Sequence, residues 1–115
     1  MRYTEDIQTT ANQAFIAAYK KKYGPDPVPL VASTAYYSVD FIHAAVERAG
    51  TYDRKAVFEA FKGLEVNTIL SDTPIRIDPE AMEARYPMYI TQIQPGGLYK
   101  IVKEVGIVEN NLQCD

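Results

Sequence analysis

The chain has 115 residues, of which 47% are hydrophobic and 23% are charged, and its formal net charge is −3. This length suits one domain, and this composition is typical of a folded globular protein rather than a disordered chain. The acidic balance disfavours nucleic-acid binding, because that mode of binding needs a basic face that releases the counterions of the phosphate backbone. We therefore expect no nucleic-acid partner.

The first predicted helix covers residues 10–24. Thr9 or Thr10 can cap its first turn, and Gly24 followed by Pro25 ends it. Its apolar positions recur at helical spacing and comprise Ala11, Ala14, Phe15, Ala18 and Tyr19. The lysines 20–22 complement the negative end of the helix dipole, which favours a structural role over an anion-binding site. Three prolines in the next five residues predict an extended connector.

A second helix is predicted to begin at the cap Ser33 and to end at Gly50. Residues 30–32 form either a brief strand or the approach to this helix. Spacings of 4, 3, 4 and 3 predict one buried stripe, made of Ala35, Val39, Ile42, Val46 and Ala49. This stripe would face the core.

A third helix is predicted to follow at once, from the cap Asp53 to the stop at Gly63. Its inward residues would be Val57, Ala60 and Phe61. Because the connection between the second and third helices is so short, we expect them to form a compact αα unit with charged residues facing outwards.

Short strands are predicted after the helices. Residues 64–70 have the β-branched content of a strand, residues 75–78 alternate, and residues 72–74 would form the turn between them. Residues 79–85 are predicted to form a loop or a single helical turn. For a complete domain, helices followed by strands would suggest an α+β class.

The strongest strand signal is a hairpin near the end of the chain. Residues 88–94 and 98–105 flank Pro95, Gly96 and Gly97, a short glycine-containing loop. The remaining residues, 108–115, are polar and are predicted to form a frayed tail that contains the single cysteine, Cys114.

The sequence contains no recognisable catalytic or metal-binding constellation. The one histidine, His43, shares a helix face with Asp40 and Glu47, but without a second histidine or a nearby cysteine we expect a solvated surface group. No serine or cysteine stands where His43 could activate it as a nucleophile. We therefore expect no enzymatic activity, no metal and no cofactor.

No apolar run approaches the roughly 20 residues that cross a bilayer. The first ten residues also lack the apolar core of a secretory signal. From its own residues, the chain carries no visible signal peptide.

Four stretches, in this order and spacing, carry a family resemblance. They are residues 11–29 (ANQAFIAAYKKKYGPDPVP), 35–50 (AYYSVDFIHAAVERAG), 75–78 (IRID) and 86–97 (YPMYITQIQPGG). Together they resemble the C-terminal part of type I periplasmic solute-binding proteins, closest to the branch of branched-chain amino-acid, urea and short-chain amide receptors. The resemblance covers roughly residues 3–102.

The resemblance implies an α/β fold, specifically a C-terminal fragment of a two-lobed structure. The helices would belong to one lobe, and the last strands would return across the hinge towards the other. Residues 1–107 would be a segment of the solute-binding domain, and residues 108–115 would be the polar tail.

The resemblance also implies a function. The parent protein would be an extracytoplasmic, non-catalytic solute-binding protein of an ABC transporter for amino acids, amides or urea-like solutes. Its partners would be a small polar solute and the membrane permease, and its signal peptide would lie on an upstream segment. The alternatives are a stand-alone self-associating interaction module and a cytoplasmic ligand-sensing regulator derived from the same fold.

Tyrosines are the most informative candidates for a binding site, since the chain has 9 of them and no tryptophan. Tyr36 and Tyr37 are predicted in the first turn of the second helix beside Ser33 and Thr34, where free N–H groups favour a carboxylate or carbonyl. In the resembled family, the tyrosine of the Ala-Tyr pattern lies near the interlobe cleft in some members. This implies Tyr36 first and Tyr37 second as ligand-proximal residues, with packing against the sheet as the competing interpretation.

The main ligand-binding loops of such receptors precede the part that this chain resembles. The chain alone is therefore expected to bind solute weakly or not at all. A sequence patterned to cover a sheet that other residues supply leaves apolar surface without a partner. We thus expect self-association, either through the inner faces of the helices or by exchange of the C-terminal hairpin.

Overall fold

The computed structural model describes residues 1–108 and places three helices before five strands. The helices are α1 (Thr10–Tyr23), α2 (Leu30–Ala49) and α3 (Arg54–Phe61). The strands are β1 (Glu65–Thr68), β2 (Ser71–Ile77), β3 (Ala84–Arg85), β4 (Pro87–Ile93) and β5 (Tyr99–Ile107). This mixture of helices and strands confirms the α/β class. The predicted tail, apart from Val108, lies outside the described residues, and so does Cys114.

The boundaries of α1 are those predicted from the sequence. Thr9 is extended, and its hydroxyl oxygen accepts a hydrogen bond from the Asn12 N–H at 3.1 Å. Gly24 ends the helix at φ 106, where its N–H donates to the Lys20 carbonyl at 3.0 Å. Within the apolar stripe named from the sequence, Phe15 is buried whereas the alanines at 11, 14 and 18 are exposed. The helix packs along the side that carries Asn12 and Phe15.

Helix α2 begins one turn earlier than predicted. Pro29 is the N-cap, and its carbonyl accepts hydrogen bonds from the N–H groups of Ala32 at 3.0 Å and Ser33 at 3.2 Å. Ser33 therefore lies inside the helix and does not cap it. The physical reason is that Pro29 already has the extended geometry of a cap, so helical bonding begins as soon as the proline connector ends.

The buried face of α2 is also rotated from the predicted one. Residues at intervals of four are buried, namely Ser33, Tyr37, Phe41 and Ala45. In the predicted stripe, Ala35, Val39 and Ile42 are exposed instead. At 100° per residue, the centres of the two stripes lie about 140° apart. Because α2 carries apolar side chains on both sides, periodicity alone could not identify the side that faces the core.

Helices α2 and α3 form the predicted αα unit. Asp53 caps α3, since its Oδ1 accepts from the Ala56 N–H at 2.9 Å. Ala60 is buried on the inner side of α3, as predicted. The Arg48 guanidinium on α2 donates to the carbonyls of Ala60 at 3.3 Å and Lys62 at 3.2 Å. The end of α3 is thereby held against α2.

Strands β1, β2 and β3 form one antiparallel sheet in that order. The turn predicted at residues 72–74 is wrong: Thr68 pairs with Ser71, so the connection consists of Ile69 and Leu70. Both turn residues are buried, which is unusual for a turn. The Thr9 hydroxyl donates to the Ile69 carbonyl at 3.3 Å, and the Tyr89 hydroxyl donates to the Leu70 carbonyl at 3.2 Å. Tertiary hydrogen bonds therefore let an apolar turn face the core.

Strands β4 and β5 form the predicted hairpin as a separate antiparallel pair. The loop between them contains Gly96 at φ 85 and Gly97 at φ 81, a left-handed geometry that glycine adopts without steric cost. Residues 94 and 98 close this loop through a backbone hydrogen bond of 2.8 Å.

The first nine residues join the hairpin to the helices, a feature that the sequence did not predict. Met1 and Tyr89 exchange two backbone hydrogen bonds, of 2.8 and 2.9 Å. Further along, the Asp6 carboxylate accepts from the Ile101 N–H at 2.8 Å. The segment 1–9 therefore lies along the hairpin and then leads directly into α1.

None of the helices in residues 1–108 is long and apolar enough to cross a membrane.

Candidate functional site

The first turn of α2 is the most evident binding feature of the described residues. The N–H groups of Leu30 and Val31 belong to the first turn, so no carbonyl within the helix can accept a hydrogen bond from them. The dipole of this 20-residue helix adds partial positive charge at the same end. Such an end attracts a carboxylate or a carbonyl oxygen.

A cleft of about 260 Å³ opens beside this helix start. Its walls are the N-terminal segment, the proline connector and the tip of the β4–β5 hairpin, in particular Tyr3, Val28, Pro29, Leu30, Leu98 and Tyr99. Ligand pockets of proteins usually measure about 300–1,000 Å³. The cleft is therefore large enough for part of a small solute.

The one carboxylate in the wall of this cleft is already paired. Glu5 accepts from the Val28 N–H at 2.5 Å through Oε1 and from the Lys20 ammonium at 2.7 Å through Oε2. These two contacts fix the proline connector against α1. The positive charge of Lys20 offsets the negative charge of Glu5. The start of α2, with its partial positive charge, is therefore the positive end of the cleft.

Tyr3, in the same wall, is buried, and its hydroxyl has no hydrogen-bond partner among residues 1–108. Burial raises the pKa of Tyr3 above its usual range, and the charge of Glu5 raises it further. Tyr3 thus remains neutral and contributes an apolar ring to the wall, where it meets Phe15 edge to face at 6.3 Å.

Tyr36 and Tyr37 lie in the second turn of α2, because the helix starts at Leu30. Consecutive helical residues point about 100° apart, so the two rings diverge. The Tyr36 ring is 49% exposed and lies 4.5 Å from that of Phe15 on α1. The Tyr37 ring is buried and lies 5.8 Å from that of Tyr86.

Ser33 and Thr34 both bond to the helix backbone. Their hydroxyls donate to the Leu30 carbonyl, at 2.7 Å from Ser33 and at 2.9 Å from Thr34. The Tyr37 hydroxyl in turn donates to that of Thr34 at 3.4 Å. The structure therefore brings Ser33, Thr34 and Tyr37 together at the base of α2, while Tyr36 faces a different surface.

That surface is a shallow groove of about 460 Å³ between α1, α2 and β1. The exposed alanines of α1 keep it open, and Tyr36 and Asp40 line its α2 side. Burial raises the pKa of Asp40 above its usual value, an effect that the neighbouring His43 partly offsets. His43 itself is exposed and lies 3.6 Å from Glu47.

Among residues 1–108, no group of three or more histidine, cysteine or acidic side chains is arranged to hold a metal ion. Leu30 and Val31 form the first turn of α2, ahead of the residues that were predicted to begin this helix. Two features of the sequence could have indicated this earlier start. Pro29 has the fixed φ of a cap, and Asp26 is the only charged residue between positions 24 and 39.

Asp78 organises the loop that joins β2 to β3. Its Oδ1 accepts from the N–H groups of Glu80 at 3.0 Å and Ala81 at 2.8 Å, and its Oδ2 accepts from Arg85 at 2.7 Å. The Ala81 hydrogen bond, followed by those from Arg85 and Glu80, lowers the pKa of Asp78 to about 2.

Because this pKa is lower in the folded chain, the loop contacts of Asp78 stabilise the fold fully above the ordinary aspartate pKa. Their contribution is lost as pH falls through about 2. We expect an NMR titration of the Asp78 carboxyl to give a midpoint of about 2. In Arg85→Gln this midpoint should rise by about one pH unit. The matched variant Arg54→Gln, on the distant α3, should leave it unchanged, and an equal rise in both variants would contradict the assignment.

Residues 1–98 match a family model described as periplasmic binding protein. No curated protein sequence matches the chain. Among solved structures, a solute-binding protein of an ABC transporter from Rhodopseudomonas palustris, in complex with 3,4-dihydroxybenzoic acid, is 27% identical with a TM-score of 0.73. The match covers 94% of this chain and 29% of that one.

Two further structures from the same organism share the fold. An ABC-type branched-chain amino acid transporter protein is 18% identical with a TM-score of 0.76, covering 91% of this chain and 29% of that one. A solute-binding protein in complex with benzoate is 18% identical with a TM-score of 0.72, covering 93% of this chain and 28% of that one. The chain therefore spans less than a third of the length of the structures that it matches.

Proposed function

The chain belongs to the periplasmic binding protein family, and we propose that it supplies the C-terminal part of a two-lobed solute-binding protein of an ABC transporter. The observation that carries this proposal is the family match over residues 1–98, which includes all three helices and β1 to β4. In this proposal the chain has no catalytic role, and its partners are a small solute and a membrane permease.

The architecture supports a division between two lobes. Strands β1–β3 form one sheet, whereas β4 and β5 form a separate sheet. The chain passes from one sheet to the other at Tyr86, between Arg85 and Pro87. A crossing of this kind suits a hinge, and capture would proceed by closure of the lobes around a solute that contacts both.

We propose that the solute carries a carboxylate or a carbonyl group that meets the start of α2. The N–H groups of Leu30 and Val31 favour such an oxygen. The solved relatives named with 3,4-dihydroxybenzoic acid, benzoate and branched-chain amino acids all involve carboxylates. Amides and urea, which the sequence resemblance implies, offer a carbonyl oxygen to the same groups.

Tyr36 is proposed as a ligand-proximal side chain, because it is half exposed and its ring is held by Phe15. It lines the groove between α1, α2 and β1, so a solute would meet it there and not in the cleft at the start of α2. Ser33, Thr34 and Tyr37 would act by fixing the helix start, since their hydroxyls are engaged with the backbone or with each other. The 115-residue chain alone would bind solute weakly, and it is proposed to self-associate.

Members of the family are periplasmic binding proteins of ABC transporters, and we propose the same extracytoplasmic location for this chain. An antibody against residues 95–108 can identify the natural polypeptide that carries the sequence. We expect a product about three times as long as this chain, in the extracytoplasmic fraction, because the chain covers 29% of its solved relatives. A short product in the cytoplasm would contradict the transport role and favour a ligand-sensing regulator.

The solute prediction is best tested on that natural polypeptide by thermal shift, with benzoate, leucine, acetamide and urea as probes. A solute that binds the native state at 100 times its Kd stabilises it by about 2.7 kcal/mol. We expect one of these probes to raise the Tm. Tyr36→Ala should weaken that binding by about tenfold or more if the solute occupies the groove that Tyr36 lines, whereas an unchanged affinity would place the solute in the cleft at the start of α2. The control Tyr23→Ala, a 63% exposed tyrosine on α1, should retain full binding. No response to any probe would overturn the proposed solute class.

A further inference from the structure

Tyr86 is the single residue through which the chain passes from the sheet β1–β3 to the sheet β4–β5. It lies between Arg85, the last residue of β3, and Pro87, the first residue of β4. Because Tyr86 precedes a proline, its backbone is biased towards extended geometry, and the ring of Pro87 fixes the next φ. The backbone at this crossing therefore has little freedom, and the Tyr86 side chain is held within a correspondingly narrow range of positions.

Two other parts of the chain meet the ring of Tyr86. The Arg2 guanidinium lies 5.1 Å from the centre of this ring, and the Tyr37 ring on α2 lies 5.8 Å from it. A cation within about 6 Å of an aromatic ring centre is attracted by the quadrupole of the ring. Arg2 is held in place because its neighbour Met1 exchanges two backbone hydrogen bonds with Tyr89 on β4. The ring of Tyr86 thus joins the N-terminal segment, the crossing and α2.

The pKa of Tyr86 reflects the same surroundings. Burial raises this pKa above its usual value, the neighbouring Tyr37 raises it further, and the positive charge of Arg2 opposes both effects. Tyr86 is therefore neutral near neutral pH. Its contact with Arg2 is an interaction between a cation and an uncharged ring, not an ion pair.

Tyr37 extends these contacts to the start of α2. Its hydroxyl donates to that of Thr34 at 3.4 Å, which in turn donates to the Leu30 carbonyl at 2.9 Å. Leu30 belongs to the first turn of α2, whose N–H groups are proposed to meet the solute. Energetic coupling between distant sites can travel through packed rings and hydrogen bonds of this kind. An unbroken series of contacts therefore links Arg2 to the first turn of α2.

We propose that Arg2, Tyr86 and Tyr37 form a clamp that fixes the crossing against α2 and thereby preorganises the start of α2 for the solute. This inference rests on the proposed function, because the clamp acts in solute capture. Among the described residues, neither Arg2 nor Tyr86 lines the cleft at the start of α2 or the groove of Tyr36. Both are positioning residues, which raise the affinity by reducing the ordering that binding requires.

Hydrogen exchange of the Tyr89 N–H tests the clamp in the chain itself, because this group donates to the Met1 carbonyl beside Arg2. We expect Arg2→Gln to accelerate the exchange by about two- to fivefold, the effect of one cation–π contact at an exposed site. Arg2→Lys keeps the positive charge and should restore part of the protection. The matched control is Lys22→Gln, since Lys22 lies 5.1 Å from the ring of Tyr23 on α1. This control should leave the exchange of Tyr89 unchanged.

A double-mutant cycle shows whether Arg2 acts through the ring of Tyr86. In a Tyr86→Leu background, Arg2→Gln should have no further effect, whereas Tyr86→Phe keeps the ring and should behave like the unmodified chain. Circular dichroism would check that each variant remains folded. Equal acceleration by Arg2→Gln with and without the ring would contradict the clamp, and so would an exchange rate that Arg2→Gln does not change.

The link to the solute is tested on the natural polypeptide, by calorimetric titration with the probe that raises its Tm. Well below the Tm, we expect Arg2→Gln to raise the Kd by about two- to fivefold, Arg2→Lys to restore part of the affinity and Lys22→Gln to leave it unchanged. A merely structural role would lower the Tm and leave the Kd as it is. An unchanged Kd in Arg2→Gln would overturn the coupling and leave the proposed solute-binding role intact. Absence of binding by the unmodified polypeptide would instead overturn the proposed solute class and the coupling together.

Discussion

Replacing Leu70 by alanine is expected to lower the free energy of unfolding by about 2–5 kcal/mol. Leu70 is completely buried in the turn between β1 and β2, where the hydroxyl of Tyr89 bonds to its carbonyl. Truncation would leave a cavity at the point where the sheet, the hairpin and the N-terminal segment meet. Urea denaturation followed by circular dichroism measures the change directly.

The matched control is Leu98→Ala in the hairpin tip. Leu98 is 41% exposed, so its truncation should change the free energy of unfolding by less than about 0.5 kcal/mol. A cost below 1 kcal/mol for Leu70→Ala would mean that the apolar turn does not face the core, and the arrangement of the two sheets would then need revision.

The second large effect is expected from Asn12→Ala, at about 1–3 kcal/mol. Asn12 is completely buried on α1, and its amide donates to the carbonyls of Ile7 at 2.8 Å and Thr4 at 3.4 Å. Alanine would remove both donors and leave the Thr4 carbonyl without this partner in a dry environment. The same denaturation experiment gives the cost, and proteolysis near residues 1–9 should become faster because this segment would be released.

Asn67→Ala provides the comparison for Asn12→Ala. Asn67 is exposed on β1, so its replacement should be nearly neutral. If both variants had the same small effect, the amide of Asn12 would not be what holds the N-terminal segment in place.

Helix ends were predicted correctly where a side chain bonds to a backbone group only a few residues away. The Thr9 and Asp53 caps act within three residues, and the left-handed Gly50 ends α2 through its own backbone geometry. The hairpin was predicted equally well, because Gly96 and Gly97 specify its loop. These features depend on a few neighbouring residues and hardly at all on the rest of the fold.

Predictions that depend on tertiary structure were less reliable. The turn at Ile69 and Leu70 has no turn-forming residues, and it exists because Thr9 and Tyr89 satisfy its carbonyls from distant parts of the chain. The inner face of α2 was misassigned because both of its sides are apolar. For the candidate site, the residue types suggested a polar helix start, but Pro29 moved that start ahead of Ser33.

The pairing of Met1 with Tyr89 joins positions 88 apart in the chain. Long-range closure of this kind raises the contact order and slows folding. During synthesis residues 1–9 would leave the ribosome long before β4 and β5, and they would have no strand to pair with until the hairpin had emerged. Completion of this part of the fold therefore depends on the synthesis of residues 87–107, and nascent chains that stall near residue 80 would leave residues 1–9 without the hairpin that they pair with.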